Sequence, residues 1–540
     1  MSSYQNREEA VRTQILYGAP AYRIRRLDRH TRLFLWMVKA AIKSWKSSTL
    51  EIDRVRPPQR KGGLIFRNLP FGPPGKPIRV PINDEDWPAS SRNRDLLLKI
   101  LRVEPLFPVH DTAVPWKSRA EARDVFQELL PQGVYLSRPY HFWEEMSSDS
   151  AMSRLAFAGL GGYRTTLFHA DGTEESRLAG ARWVNDFSYL GSYEVRPGFE
   201  RYGAKALFDA QQRPMAIYWS HGKRWIFPKD ADWAHAKWVW RCSMMVGSTV
   251  TDHLVFVHWI MGNLVTVASR MALQPTHYIS LLLKAFTWRT ITINYGASNS
   301  LLPKCGFVHR ASALSYEALV QALNDSVGLA RFQTVPELVA EKGADQPGIH
   351  FPWAVEALAL YKVIRQFVEN YLSVYTTPDE MMADPELKDF WKELENAPPS
   401  MVFPPRSYPA LVDILSQFIW TVTGLHEAVG TVHEYVLDPT FMGTKLREGT
   451  ETSDVQASIQ YLLILALTGL EMPALLDIGD CKEIFSADYR GRAIFSGFSS
   501  DLRQLMAEMD ERNQRRLADP ECPWPCQSFN PRHLETAVSI

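Results

Sequence analysis

His253 and His258 stand five residues apart in the run Asp252-His-Leu-Val-Phe-Val-His-Trp259. A neutral imidazole is the commonest side-chain metal ligand, and two on one helix can share an ion. Five residues of a regular α-helix, however, set two side chains about 140° apart. The pair therefore reads either as two separate core histidines or as a metal pair brought onto one side by a widened π turn, a feature that concentrates at functional sites. A second run, Leu425-His426-Glu427-Ala428-Val429-Gly430, continues to His433 and Glu434. Positions 426, 430 and 433 share one helical face. Gly430 has no side chain to offer on it, and Glu427 and Glu434 fall on a neighbouring face. The sequence finishes Ala537-Val538-Ser539-Ile540, and an apolar terminal residue matters only where its carboxylate has a task.

Helical periodicity marks the elements that would carry these residues: 231–296, 314–326, 353–376, 407–437, 453–470 and 499–517. Residues 253–273 are apolar on all sides yet hold His253, His258, Asn263 and Arg270, which reads as a central helix of a large body rather than a membrane span. Residues 56–116, rich in Pro and Gly, read as an extended segment wrapping the surface. From 117 to 230 short strand-like and helical pieces alternate. The polar, Pro-rich stretch 377–406 reads as a long connection. No repeat and no linker between two cores is evident, so the expected fold class is mostly α, with minor β elements in the N-terminal half.

Composition bounds the rest. Of 540 residues 46% are hydrophobic and 22% charged, which excludes a disordered or fibrous chain. Sixty basic residues balance sixty acidic ones, so no overall field favours nucleic acid. Seventeen Trp imply a large core or wide apolar cavities. Five Cys argue against a disulfide framework, and with no secretory signal in MSSYQNREEAVRTQ a cytoplasmic location is expected. Residues 1–61 hold fourteen Lys and Arg against five Asp and Glu. Within them Thr31–Lys46 has Leu33, Trp36, Met37, Ala40, Ala41 and Trp45 along one side. That pattern suits either a helix packed on the body or a peripheral membrane contact through residues 23–46.

Taken together these pieces resemble the lipoxygenase family. The resemblance rests on His253-x4-His258 followed by Trp259, on Trp233-x-x-Ala236-Lys237 upstream, on Ile293-Asn294 downstream, on Leu425-His426 in a second long helix and on the Ser539-Ile540 end. It is strongest over 231–540. It implies a large helical catalytic domain over 61–540 built around two long core helices, behind a basic helical segment 1–60 and without the family's N-terminal β-sandwich. The metal ligands it implies are His253, His258, His426 and the carboxylate of Ile540, holding non-haem iron, with manganese as the alternative ion.

The implied reaction removes a bis-allylic hydrogen from a polyunsaturated fatty acid and adds O2 to give a hydroperoxide. The implied partners are a hydrophobic polyene and O2. A fold-related oxidase of another polyene, an enzyme that rearranges a hydroperoxide, and a non-catalytic relative remain alternatives. Ala297 aligns with the residue that gates O2 access, and Trp259 and Leu301 with the substrate and oxygen channel. The chain departs from the family at Gly430, where an Asn ligand is usual and water is expected instead. His433, one turn further, is read either as a neighbour of the metal or as an ordinary packing residue.

Overall fold

Forty residues, Trp233 to Ala272, form one continuous helical rod in the computed structural model. The structure describes residues 61–82, 148–169, 178–304, 306–346, 348–430, 443–449, 474–480, 489–520 and 523–538. The rod is apolar and long enough to cross a membrane, yet 89% of its most apolar window is buried inside the protein. It comprises α2 (Trp233–Gly247), a π-helical segment Ser248–Gly262 and α3 (Asn263–Ala272), and is preceded by a short helix α1 (Asp149–Ala158). Against it pack α4 (Thr290–Ser300), a second π segment Thr421–Leu425 and α7 (His426–Gly430), while α5 (Pro352–Tyr375) packs on α6 (Tyr408–Trp420), which leads into that π segment, and on α8 (Tyr489–Leu517). The body is mostly helical, as expected, and the two chain segments bearing histidines are neighbours in its core.

Sequence signals explain several boundaries. Ser148 accepts from Ala151 N to cap α1, and Ser407 from Ala410 N to cap α6. Residues 377–406 correct the expected connection. Pro378–Ala383 and Pro385–Leu394 are helices, started by a Thr377/Glu380 capping box and by Asp384, which accepts from Glu386 N and Leu387 N. The Pro residues that read as turn punctuation sit at the first helical position, where a missing N–H costs nothing.

Two β units complete the described residues. Strands β1 (Phe66–Asn68) and β2 (Arg79–Pro81) form a hairpin in the expected wrapping segment. The hairpin does more than cover the surface, because Leu69, Phe71 and Val80 are buried in the core. Gly62 N donates to Arg270 O, and Asn263 Nδ2 to Arg79 O. Strands β3 (Thr165–Leu167), β4 (Trp183–Asp186), β5 (Ala204–Phe208), β6 (Pro214–Trp219) and β7 (Arg224–Ile226) make an antiparallel meander. Its inner face packs Trp183, Asn185, Phe208 and Ile217 onto the helical body. The Trp-rich composition resolves as core: Trp183, Trp240, Trp259, Trp353 and Trp420 are all fully buried.

The final segment threads back into this core. Phe529 stacks on Trp420 and meets the edge of Trp353. Asn513 of α8 pairs with the Cys526 backbone in both directions at 2.9 Å. The guanidinium groups of Arg512 and Arg516 both engage Glu356, a fully buried carboxylate of α5. The basic segment 1–60, including the region 23–46 read either as packed on the body or as a membrane contact, the helical pattern 453–470, His433 and Ile540 lie outside the described residues.

Candidate metal centre

The π segment Ser248–Gly262 brings His253 and His258 together. Its hydrogen bonds run from i to i+5, so residues five apart stack on one side. Their Nε2 atoms are 3.1 Å apart. His426, the first residue of α7, places its Nε2 3.2 Å from that of His258. The three rings pack at centroid distances of 4.7, 4.9 and 5.1 Å, all three residues are buried, and their ligating atoms lie within 4.8 Å of one another. Two ligands about 2.1 Å from one ion, at angles from octahedral to tetrahedral, are about 3.0–3.4 Å apart. The two nitrogen–nitrogen distances fit that span.

Asn294 of α4 sets the protonation of this group. Its Nδ2 donates to the backbone carbonyl of His258 at 3.0 Å, which orients the amide. Its Oδ1 then faces His258 Nδ1 at 3.0 Å. An amide oxygen only accepts, so Nδ1 carries the proton and Nε2 turns a lone pair toward the other two imidazoles. A His258 lone pair aimed at two further imidazole nitrogens in a buried space is an arrangement that a cation among them would satisfy. Three imidazole nitrogens with remaining positions for oxygen donors suit a divalent first-row metal such as iron or manganese.

The surroundings fall into three parts. Asn294, Ala297 and Leu301 recur at i, i+3 and i+7, so buried Ala297 and part-buried Leu301 continue the face of α4 that touches His258. Trp259 packs toward the N-terminal hairpin, with the Phe71 ring edge-on at 5.5 Å. Gly430 lies beside His253: a Cβ built on it would sit 3.2 Å from His253 Nε2.

Three further features were not foreseen from the residues. One is the role of Asn294, legible in the sequence only as half of the Ile293-Asn294 motif. Another is the second π segment, Thr421–Leu425, directly before His426. There Gly424 admits close neighbours, since a Cβ would meet Leu360 Cδ2 at 2.6 Å and Phe529 Cδ1 at 3.1 Å. The last is an ion pair next to His253. Arg164 Nε donates to Asp252 Oδ1 and Oδ2 at 3.0 and 3.2 Å, and Nη2 also reaches Oδ1. Burial holds the Asp252 carboxyl above its ordinary range, and the facing Arg164 offsets only part of that rise. Arg164 closes a 3-10 turn, Leu160–Arg164, held by Asn185 Nδ2 on Gly161 O at 2.8 Å and by Lys342 Nζ on Tyr163 O at 2.7 Å. That turn also contacts α7, so it touches both segments that carry the histidines.

Residues 221–437, which include all three histidines, match the lipoxygenase family model. The chain is 27% identical over 208 residues to a linoleate 9/13-lipoxygenase of Pseudomonas aeruginosa, covering 36% of this chain and 30% of that protein. It is 25% identical over 274 residues to a manganese lipoxygenase of Fusarium oxysporum, covering 46% and 44%. The chain thus spans less than half the length of either relative. Its fold is similar to that of a calcium-dependent 11R-lipoxygenase, with a TM-score of 0.68 at 17% identity over 93% of this chain and 80% of that one.

Proposed function

We propose, on the premise that this chain carries a lipoxygenase-family domain through residues 221–437, that it is a metal-dependent dioxygenase converting a polyunsaturated fatty acid and O2 into a hydroperoxide. The observation that carries the reading is the convergence of three buried imidazole nitrogens within the matched stretch. His253, His258 and His426 would hold the ion, iron first and manganese as the alternative. When bound, such an ion supplies one-electron chemistry able to remove a hydrogen atom from a doubly allylic carbon. The carboxylate of Ile540 is the oxygen ligand assigned to it, and the burial of Ala537 and Val538 just before it supports that assignment.

The chain's own residues have defined tasks in this reading. Asn294 keeps His258 in the tautomer whose Nε2 faces the ion. Ala297 and Leu301 line the approach along α4, where an apolar wall excludes water from a carbon radical. Atoms balance without a further reductant, because one polyene and one O2 give one hydroperoxide.

Metal analysis of the purified full chain should find about one iron or manganese per chain, and linoleate with O2 should give conjugated-diene absorbance matched by O2 uptake. Metal-loaded, folded protein that leaves linoleate and longer polyenes unchanged would overturn the substrate assignment. His253→Ala, His258→Ala and His426→Ala should each lose metal, and full loading in any of them would remove that residue from the site.

A further inference from the structure

Phe529 reaches the second π segment from a distant part of the chain. Its ring is fully buried and stacks on Trp420 with centroids 5.8 Å apart. A Cβ built on Gly424 would lie 3.1 Å from its Cδ1 and 3.5 Å from its Cε1. Trp420 directly precedes the segment Thr421–Leu425, Gly424 lies inside it, and His426 closes it. The ring therefore lies along the widened turn that presents His426. A side chain at position 424 would compete for that space, and its absence lets the ring seat against the helix. A π turn is rarely adopted, so its place in a helix depends on what packs against it.

The ring is held independently of the histidines. The next residue, Asn530, donates through Nδ2 to Asp510 Oδ1 of α8 at 3.0 Å, and Arg532 engages the same carboxylate. Asn513 of α8 pairs with the Cys526 backbone, and Trp524 Nε1 donates to Ser150 Oγ of α1 at 3.3 Å. Trp353 of α5 meets the ring edge-on at 5.1 Å. These anchors belong to α1, α5 and α8, none of which carries a histidine of the cluster.

We infer that Phe529 is a positioning residue for the metal site: packed across Trp420 and Gly424, it fixes the widened turn that aims His426 Nε2 at His258 Nε2. This rests on the proposed metal site and adds to it a support from outside both histidine-bearing segments. Without the ring the turn is free to relax toward regular helix, which rotates the side chain at position 426 about the helix axis. Little rotation is needed, because ligand distances that suit an ion vary by only about 0.2 Å.

Metal content of the full-length wild-type protein is measured first, and failure to load iron or manganese would sink the metal site itself, whatever Phe529 does. Phe529→Ala is then compared with Phe498→Ala, which removes a buried ring of α8 stacked on Phe367 at 4.2 Å instead of on the π segment. Affinity is read by chelator competition and ligand geometry by the EPR line shape of the bound ion, at a temperature where circular dichroism shows each variant folded. Phe529→Ala should weaken metal affinity about tenfold, as loss of a residue supporting a ligand does, and should change the line shape. Phe498→Ala should change neither. Unchanged affinity or an unchanged line shape in Phe529→Ala would overturn the inference. So would an equal change in Phe498→Ala, because loss of any core ring would then suffice. Should either alanine variant not fold, Phe529→Leu and Phe498→Leu are compared by the same line shape. A change confined to Phe529→Leu supports the inference, and any other result overturns it.

Discussion

The Arg164–Asp252 pair makes an asymmetric prediction. Asp252 has 1% of its side chain exposed and Arg164 has 25%. Removing one partner of a buried pair costs about 3–5 kcal/mol because the other charge is stranded. Arg164→Met should incur that full cost, since the Asp252 carboxylate has no route to water. Asp252→Leu should cost about half as much, because the long Arg164 side chain can shift its head toward solvent. The double variant Arg164→Met/Asp252→Leu strands no charge and should lie within about 1 kcal/mol of wild type. The pair should therefore show a coupling of at least about 3 kcal/mol, at the top of the usual range for touching residues.

The assay is the unfolding midpoint of the metal-free protein in guanidinium chloride for wild type and the three variants. A chain of 540 residues need not unfold as one unit, so the order of midpoints is the readout. The expected order is wild type and double variant together, then Asp252→Leu, then Arg164→Met. Equal losses from the two single changes, or a double variant as unstable as the worse single one, would refute the reasoning.

Asn294→Leu removes both hydrogen bonds to His258 and should weaken metal affinity about 10–100-fold in a chelator competition; unchanged affinity would clear Asn294 of any part in orienting the ring. Burial lowers the Lys342 ammonium to about 7, against about 10.4 in an unfolded chain. Between those values the unfolded chain binds a proton that the folded one does not. Wild-type stability should then rise with pH relative to Lys342→Met by up to about 1.4 kcal/mol per unit from about pH 7 to 10, and stay level below. A midpoint difference that does not change with pH contradicts this. A tag added after Ile540 should lower metal occupancy, because Thr536, Ala537 and Val538 are already fully buried and leave extra chain little room; a tag before Met1 should leave it unchanged. Full occupancy with the C-terminal tag would rule out ligation by Ile540.

The residues determine more of the site than of its support. Five-residue spacing of His253 and His258 is incompatible with sharing one ion on a regular helix, so a shared site demands a π turn, and one is present. The long apolar patterns likewise place both histidine-bearing segments in the core, because a helix apolar on all sides must be hidden from water and the polar residues His253, His258, Asn263 and Arg270 disfavour lipid. The short elements were hidden. Residues 377–406 read as a connection because the Thr, Asp and Pro that punctuate turns also start helices. The strands from 165 to 226 are three to six residues long, too short for alternation to declare a sheet.

Only the tertiary structure decided which residues steady the three clustered histidines. Asn294 reaches His258 across 36 positions and Arg164 reaches Asp252 across 88. Nothing local in the chain encodes these partners, because each bond depends on two separately formed elements meeting at about 3 Å. Gly430 is of the same kind: its neighbour His253 is 177 positions away, and only the fold puts a Cβ built on Gly430 3.2 Å from His253 Nε2.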